Sequence, residues 1–194
     1  LQKQTEITRY PPFSTLDSNE VHTHDHYVVR KYLETGEKCK IISVYRELID
    51  HTISAFFQNI CNPNNWRCNY LFYVGTENYV KSLPTDEIIK IFIQRVIEYH
   101  PEYWFNILNR TLDLNIFNRS FDRNKGYQIY QGKTFELLIL RYDRLNQMTD
   151  VIRDFLDCSS FELHNSNLST DKWYADLYSQ FKDTFRPPEW MITR

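Results

Sequence analysis

The hydrophobic period changes at Arg46, and that change limits the architecture more than any other feature. Ile41-Ile42-Ser43-Val44-Tyr45 is a short apolar run rich in β-branched residues, too short for a buried helix and suited to a strand. Beyond Arg46, apolar residues recur at Ile49, Ile53, Phe56/Phe57 and Ile60, which leaves Asp50, Ser54 and Gln58 on another face. That spacing is helical. Segment 41–59 therefore reads as a strand–turn–helix unit, with Arg46 at the strand's carboxyl end and Ser54 in the first two helical turns. Open α/β sheets bind ligands outside the carboxyl ends of their strands. An Arg there, with a hydroxyl beside a helix start, makes a phosphate clamp. The same spacing also suits an ordinary buried strand and helix with Arg46 solvated or salt-bridged.

The remaining elements follow the same signals. Residues 27–34 read as a short helix ended by Gly36. Pro84-Thr85-Asp86-Glu87 opens a helix to about Tyr99, with Thr85 as cap and acids in the first turn. Pro101 restarts a helix through Leu112, with Tyr103, Trp104, Ile107 and Leu108 inward. Residues 70–73 suit either a short strand or an irregular apolar segment. Asn124-Lys125-Gly126 is a polar turn, and the alternation at Tyr127/Ile129 with the run 134–141 predicts two strands paired through Gln131-Gly132-Lys133. The continuous apolar run 137–140 is that of a central parallel strand. Leu145, Met148, Val151/Ile152 and Phe155 define another helix. A last helix is opened by Thr170-Asp171, runs through Phe181 and Phe185, and is stopped by Pro187-Pro188. The length of 194 residues suits one α/β domain over 1–194.

Several function classes drop out. A net charge of -2 gives no global basic field for nucleic acid. No apolar run approaches the ~20 residues of a transmembrane helix, and no signal-peptide pattern is present, so a cytoplasmic protein is expected. Cys39, Cys61, Cys68 and Cys158 lack zinc or redox spacing and are expected as free thiols. His22-Thr23-His24-Asp25-His26 alternates in a way that invites a metal. The string is similar to the metallo-β-lactamase signature but lacks a residue ahead of its Asp-His, and the later ligands have no candidates. No metal is expected.

Arg46, with Ser54 eight positions later, resembles the 3′-phosphate motif of sulfotransferases that use 3′-phosphoadenosine 5′-phosphosulfate (PAPS). His22-Thr23-His24 resembles the Lys-Thr-His segment of cytosolic sulfotransferases, with His at the Lys position. Arg141-Tyr142-Asp143-Arg144-Leu145 resembles their Y-E-D-L segment. Asp171-Lys172-Trp173-Tyr174 then looks like the N/D-K-W-Y hallmark of a bacterial, sulfotransferase-like P-loop family of capsular polysaccharide synthesis proteins. That family's R-E-P-I and S-A-F-F-Q-N blocks are matched by Arg46-Glu47 and 53–59, and its K-G-Y-x-I-Y block by 125–130. Leu48 departs from the usual Pro. A second departure is larger: no Gly-rich loop for the 5′-phosphosulfate is present, and with Leu1 at the start it is expected upstream of this chain.

The resemblance implies a three-layer α/β/α P-loop-type fold with a parallel central sheet. It implies an enzyme that moves a sulfuryl group from PAPS, leaving 3′,5′-adenosine bisphosphate (PAP), to a hydroxyl of a sugar, polysaccharide precursor or small molecule, without metal. His24, then His22, would be the base, since a neutral imidazole near pKa ~6.5 suits removal of a hydroxyl proton. Arg46 and Ser54 would hold the 3′-phosphate, Tyr142 would approach the adenine, and Lys172 or Lys125 would add positive charge. Two alternatives stay open. One is a P-loop small-molecule kinase that recruits Asp143 or Glu47 for Mg²⁺. The other is a non-catalytic nucleotide- or glycan-binding module of the same fold.

Overall fold

The computed structural model describes residues 33–63, 69–97, 103–164 and 168–192. Among them, β1 (Cys39–Tyr45), β2 (Tyr127–Gln131) and β3 (Phe135–Arg141) form one sheet in the order β1-β3-β2. The helices are α1 (Leu48–Asn59), α2 (Asn69–Phe72), α3 (Glu77–Ser82) and α4 (Thr85–Val96) in the first half. The second half has α5 (Tyr103–Leu112), α6 (Thr149–Leu156), α7 (Ala175–Thr184) and α8 (Glu189–Ile192). The protein is thus mixed α/β with a small sheet.

β3 lies at the centre because its sequence is apolar on both faces. Leu137, Leu138, Ile139 and Leu140 are all buried, none more than 1% exposed. Leu137 and Ile139 pack with Leu108 and Leu112 of α5 and with Leu114 and Ile116, whereas Leu138 and Leu140 pack with Met148, Ile152 and Phe155 around α6. The parallel pairing expected at the centre is present between β1 and β3, with Cys39 opposite Phe135 and Tyr45 opposite Arg141. The sheet is not parallel throughout, however. β2 runs antiparallel to β3, with Tyr130 opposite Leu137. The reason is the connection: the chain turns between Gln131 and Phe135, where the Gly132 N–H donates to the Phe135 carbonyl at 2.9 Å. A crossover that keeps strands parallel needs about a dozen residues or more.

A second core is wholly helical. Phe56, Phe57, Phe72, Phe92 and Phe181 are buried together between α1, α2, α4 and α7. Ring pairs such as Phe56–Phe92 at 5.3 Å, Phe57–Phe181 at 5.3 Å and Phe92–Phe181 at 5.2 Å meet edge to face. That geometry adds about 0.5–1.5 kcal/mol per pair beyond the area buried.

Several boundaries differ from the sequence expectation. Thr85 is the first residue of α4 rather than its cap; Pro84 holds the cap position in extended conformation. Residues 69–72 form a helical turn, neither strand nor irregular chain. The short α3 has no apolar stripe to announce it, and Thr76 caps it by accepting from the Tyr79 N–H at 3.4 Å. The helix expected to be last, α7, begins at Ala175, because residues Ser169–Asp171 form a 3-10 turn and Lys172 is extended, and the short α8 follows it beyond Pro187-Pro188. Likewise a 3-10 turn, Tyr142–Gln147, precedes α6, so Leu145 lies ahead of the helix. Of the short helix expected over 27–34, only residues 33 and 34 are described, both helical, and Gly36 follows with φ +73° as a helix-ending glycine should.

Candidate functional site

Parallel register builds the site. Since Tyr45 pairs with Arg141, the next residues, Arg46 and Tyr142, leave the sheet side by side at its carboxyl edge. The Arg46 guanidinium lies over the Tyr142 ring, 4.7 Å from its centroid. A half-desolvated stack of this kind holds a guanidinium in place without neutralising it. Arg46 makes no ion pair with a carboxylate among the described residues.

Around this pair lies a cleft of about 250 Å³, walled by Arg46, Glu47, Asp50, Tyr142, Asp143 and Lys182. Two of its carboxylates, Asp50 and Asp143, are already engaged. Lys182, from α7, meets Asp50 with Nζ 3.0 Å from Oδ1. Arg141 grips Asp143 with two bonds, Nε to Oδ1 at 3.0 Å and Nη2 to Oδ2 at 2.6 Å. The hydrogen bond and charge of that guanidinium hold the Asp143 carboxyl below the usual range. The Tyr45 hydroxyl beside Glu47 has its pKa pushed up by burial first and by the Glu47 charge second. Arg46 is therefore the cation that the cleft leaves uncommitted.

The start of α1 adds to this. Its cap residue, Glu47, makes no side-chain bond to the first-turn N–H groups. Those groups point out of the helix start beside Arg46, and unfulfilled N–H groups with a helix dipole favour an anion. His51, on the same turn, is held below its ordinary pKa by desolvation and by the Arg46 charge, although solvent still reaches the ring.

The expected residues divide three ways. Arg46 and Tyr142 are brought together in the cleft. Ser54 and Lys172 do not line it: Ser54 sits half-buried one turn beyond Asp50 on α1, and Lys172 lies in the turn ahead of α7. Lys125 packs its ammonium 4.5 Å from the Tyr127 ring. His22, His24 and Cys68 lie outside the described residues. Cys39, Cys61 and Cys158 are free thiols. Among the described residues no three His, Cys, Asp or Glu side chains converge as a metal-ligand set, and no helix is long and apolar enough to cross a membrane.

Sequence reading missed Lys182. Its partner Asp50 is 132 positions away, so nothing local marks it. Asp50 was within reach, because it follows Arg46 by one helical turn. The D-K-W-Y motif itself is mostly a packing device. Tyr174 is buried with its ring 5.6 Å from Phe57 of the S-A-F-F-Q-N block, and Trp173 lies under the Lys81 ammonium.

Neither the curated proteins nor the solved structures give a match to this chain. One family does, the NKWYS family described as "Putative capsular polysaccharide synthesis protein", over residues 81–192. That span takes in β2, β3, Tyr142, the D-K-W-Y turn and Lys182, more than half of the chain. The chain belongs to the NKWYS family.

Proposed function

We propose that this protein is a sulfotransferase that moves a sulfuryl group from PAPS to a hydroxyl of a sugar or polysaccharide precursor. One observation carries the reading. Arg46 stands at the carboxyl end of a parallel strand, stacked on Tyr142, without a carboxylate partner among the described residues and next to an uncapped helix start. A ribose 3′-phosphate is the ligand such a group would select over ATP-like nucleotides. Tyr142, half-exposed at 51%, offers a ring near the adenine.

The helices on both faces of the sheet are compatible with a three-layer α/β/α P-loop-type fold. In sulfuryl transfer the protein positions the reactants and stabilises charge rather than forming bonds itself. Arg46 would anchor the nucleotide, with Ser54 one turn farther along α1, and His24, with His22 next, would take the acceptor's proton. Lys182 adds positive potential at the cleft floor in place of Lys172. The kinase reading loses Asp143, which Arg141 engages.

The test is titration with 3′,5′-adenosine bisphosphate against ADP. The bisphosphate is expected to raise Tm and ADP to leave it unchanged. Arg46→Ala should weaken the bisphosphate by roughly 2–4 kcal/mol in calorimetry, the loss of a charge-assisted contact. Equal affinity in wild type and variant would remove Arg46 from the nucleotide site. Binding without transfer to any sugar would leave a nucleotide-binding module.

A further inference from the structure

A groove with a different composition opens on the other side of β1's end. Three cavities of about 330, 310 and 560 Å³ each have Arg119 in their walls. The first two share Tyr130 and the last two share Gln131, so they form one groove along the edge strand β2. The first cavity also shares Tyr45 and Glu47 with the Arg46 cleft, so the groove leads to that cleft.

Its walls are aromatic and basic. Tyr45 and Phe105 stand 6.2 Å apart, Phe105 and Phe117 6.3 Å, and Phe117 is 59% exposed. An exposed ring at the head of a cavity suits the apolar face of a pyranose. Arg119, Arg123 and, at the far end, Lys133 make no side-chain ion pair among the described residues. Glu47 and Asp113 are the acids, fewer than the cations. Guanidinium groups recognise carboxylates and phosphates with paired, directional hydrogen bonds. The Gln131 amide and the Ser120 hydroxyl add partners for sugar hydroxyls.

We infer that this groove binds an acidic glycan, a chain of sugars carrying carboxylate or phosphate groups, with its reacting end toward Tyr45 and Glu47. This deepens the sulfotransferase reading by giving the acceptor a class and a place, and it rests on that reading only for the direction of the chain. A nucleic acid fits less well, because the groove has few cations and the chain carries a net charge of -2.

Saturation-transfer NMR and calorimetry on the whole chain test it, with four probes: hyaluronan tetrasaccharide, maltotetraose bearing a terminal phosphate, neutral maltotetraose, and a dT8 oligonucleotide. At least one acidic glycan should bind ten times or more tighter than neutral maltotetraose, and which one binds identifies carboxylate or phosphate as the recognised group. Phe117→Ala and Arg119→Gln should each weaken that binding at least tenfold; both side chains are exposed, and Arg123→Gln is a third variant should either melt early. The groove variants should keep the response to 3′,5′-adenosine bisphosphate. Equal binding of neutral and acidic sugars, no glycan binding, unchanged binding in all three variants, or tighter binding of dT8 would each overturn the inference. Loss of bisphosphate binding in the groove variants would also overturn it and assign the groove to the nucleotide. Failure of the bisphosphate to bind even the wild type would instead sink the nucleotide reading and leave the groove standing.

Discussion

At Gly126 the backbone takes φ +78°, and its carbonyl accepts from the Arg141 N–H at 2.9 Å. The turn before it is held by the Asp122 carboxylate, which accepts from the Asn124 and Lys125 N–H groups at 3.0 and 2.9 Å. A Cβ at 126 would stand 2.8 Å from Arg144 Cδ and 3.1 Å from Met148 Cε. The side-chain end of Arg144 can move, but the left-handed backbone cannot be relieved. Gly126→Ala should therefore cost about 1–3 kcal/mol, a fall in Tm of several degrees by scanning calorimetry. An unchanged Tm would mean the turn does not need glycine. This turn was legible in the sequence because its chemistry is local: a polar Asn-Lys-Gly directly ahead of the alternation at Tyr127 and Ile129. Thr85 misled for the opposite reason. Its hydroxyl is drawn to Gln180 Oε1 at 3.2 Å, a partner 95 positions away that no local rule contains.

Among the elements, α1 and α7 are joined by aromatic rings, and Phe57 of α1 also meets Tyr174 of the D-K-W-Y turn there. Phe56 is fully buried and touches Phe57, Phe72, Phe92 and Phe181. Phe56→Ala would leave a cavity that neighbouring elements can fill only in part, at a cost of about 3–5 kcal/mol. Urea unfolding reads this as a lower midpoint at constant slope, and a loss under about 1 kcal/mol would show that the cluster repacks. The period of 3.6 residues made α1 visible and placed Phe56 inward, since burial repeats along one helix. The same rule put 171–174 into the last helix, where the structure has a turn. Trp and Tyr at consecutive positions satisfy a helix pattern and a packed turn equally well, and only the tertiary contact of Tyr174 with Phe57 decides between them.

The whole molecule has a sheet core and a helical core, and the cleft lies where they meet. Arg46 and Tyr142 come from the sheet's edge, Asp50 from the start of α1 and Lys182 from α7. Pairing parallel strands in register was enough to bring the first two together, so half of the cleft followed from reading β1 and β3 correctly. The other half depends on how α7 lies against α1, which is set by the Phe57–Phe181 and Phe57–Tyr178 contacts rather than by any motif. Lys182 and Asp50 are each nearly half-exposed, at 42% and 44%, so their ion pair should contribute about 0–1 kcal/mol to stability. Its larger effect is on potential. Removing the ammonium leaves Asp50 uncompensated beside Arg46, and a phosphate entering the cleft then meets an extra negative charge. Lys182→Ala should shift Tm by less than about 3 °C while weakening 3′,5′-adenosine bisphosphate roughly three- to tenfold at low salt, with the difference shrinking as salt screens the cleft. Calorimetric titrations of wild type and variant at low and high salt separate the two effects. Equal affinities at low salt would show that Lys182 only ties the helices together and that Arg46 meets the anion without it.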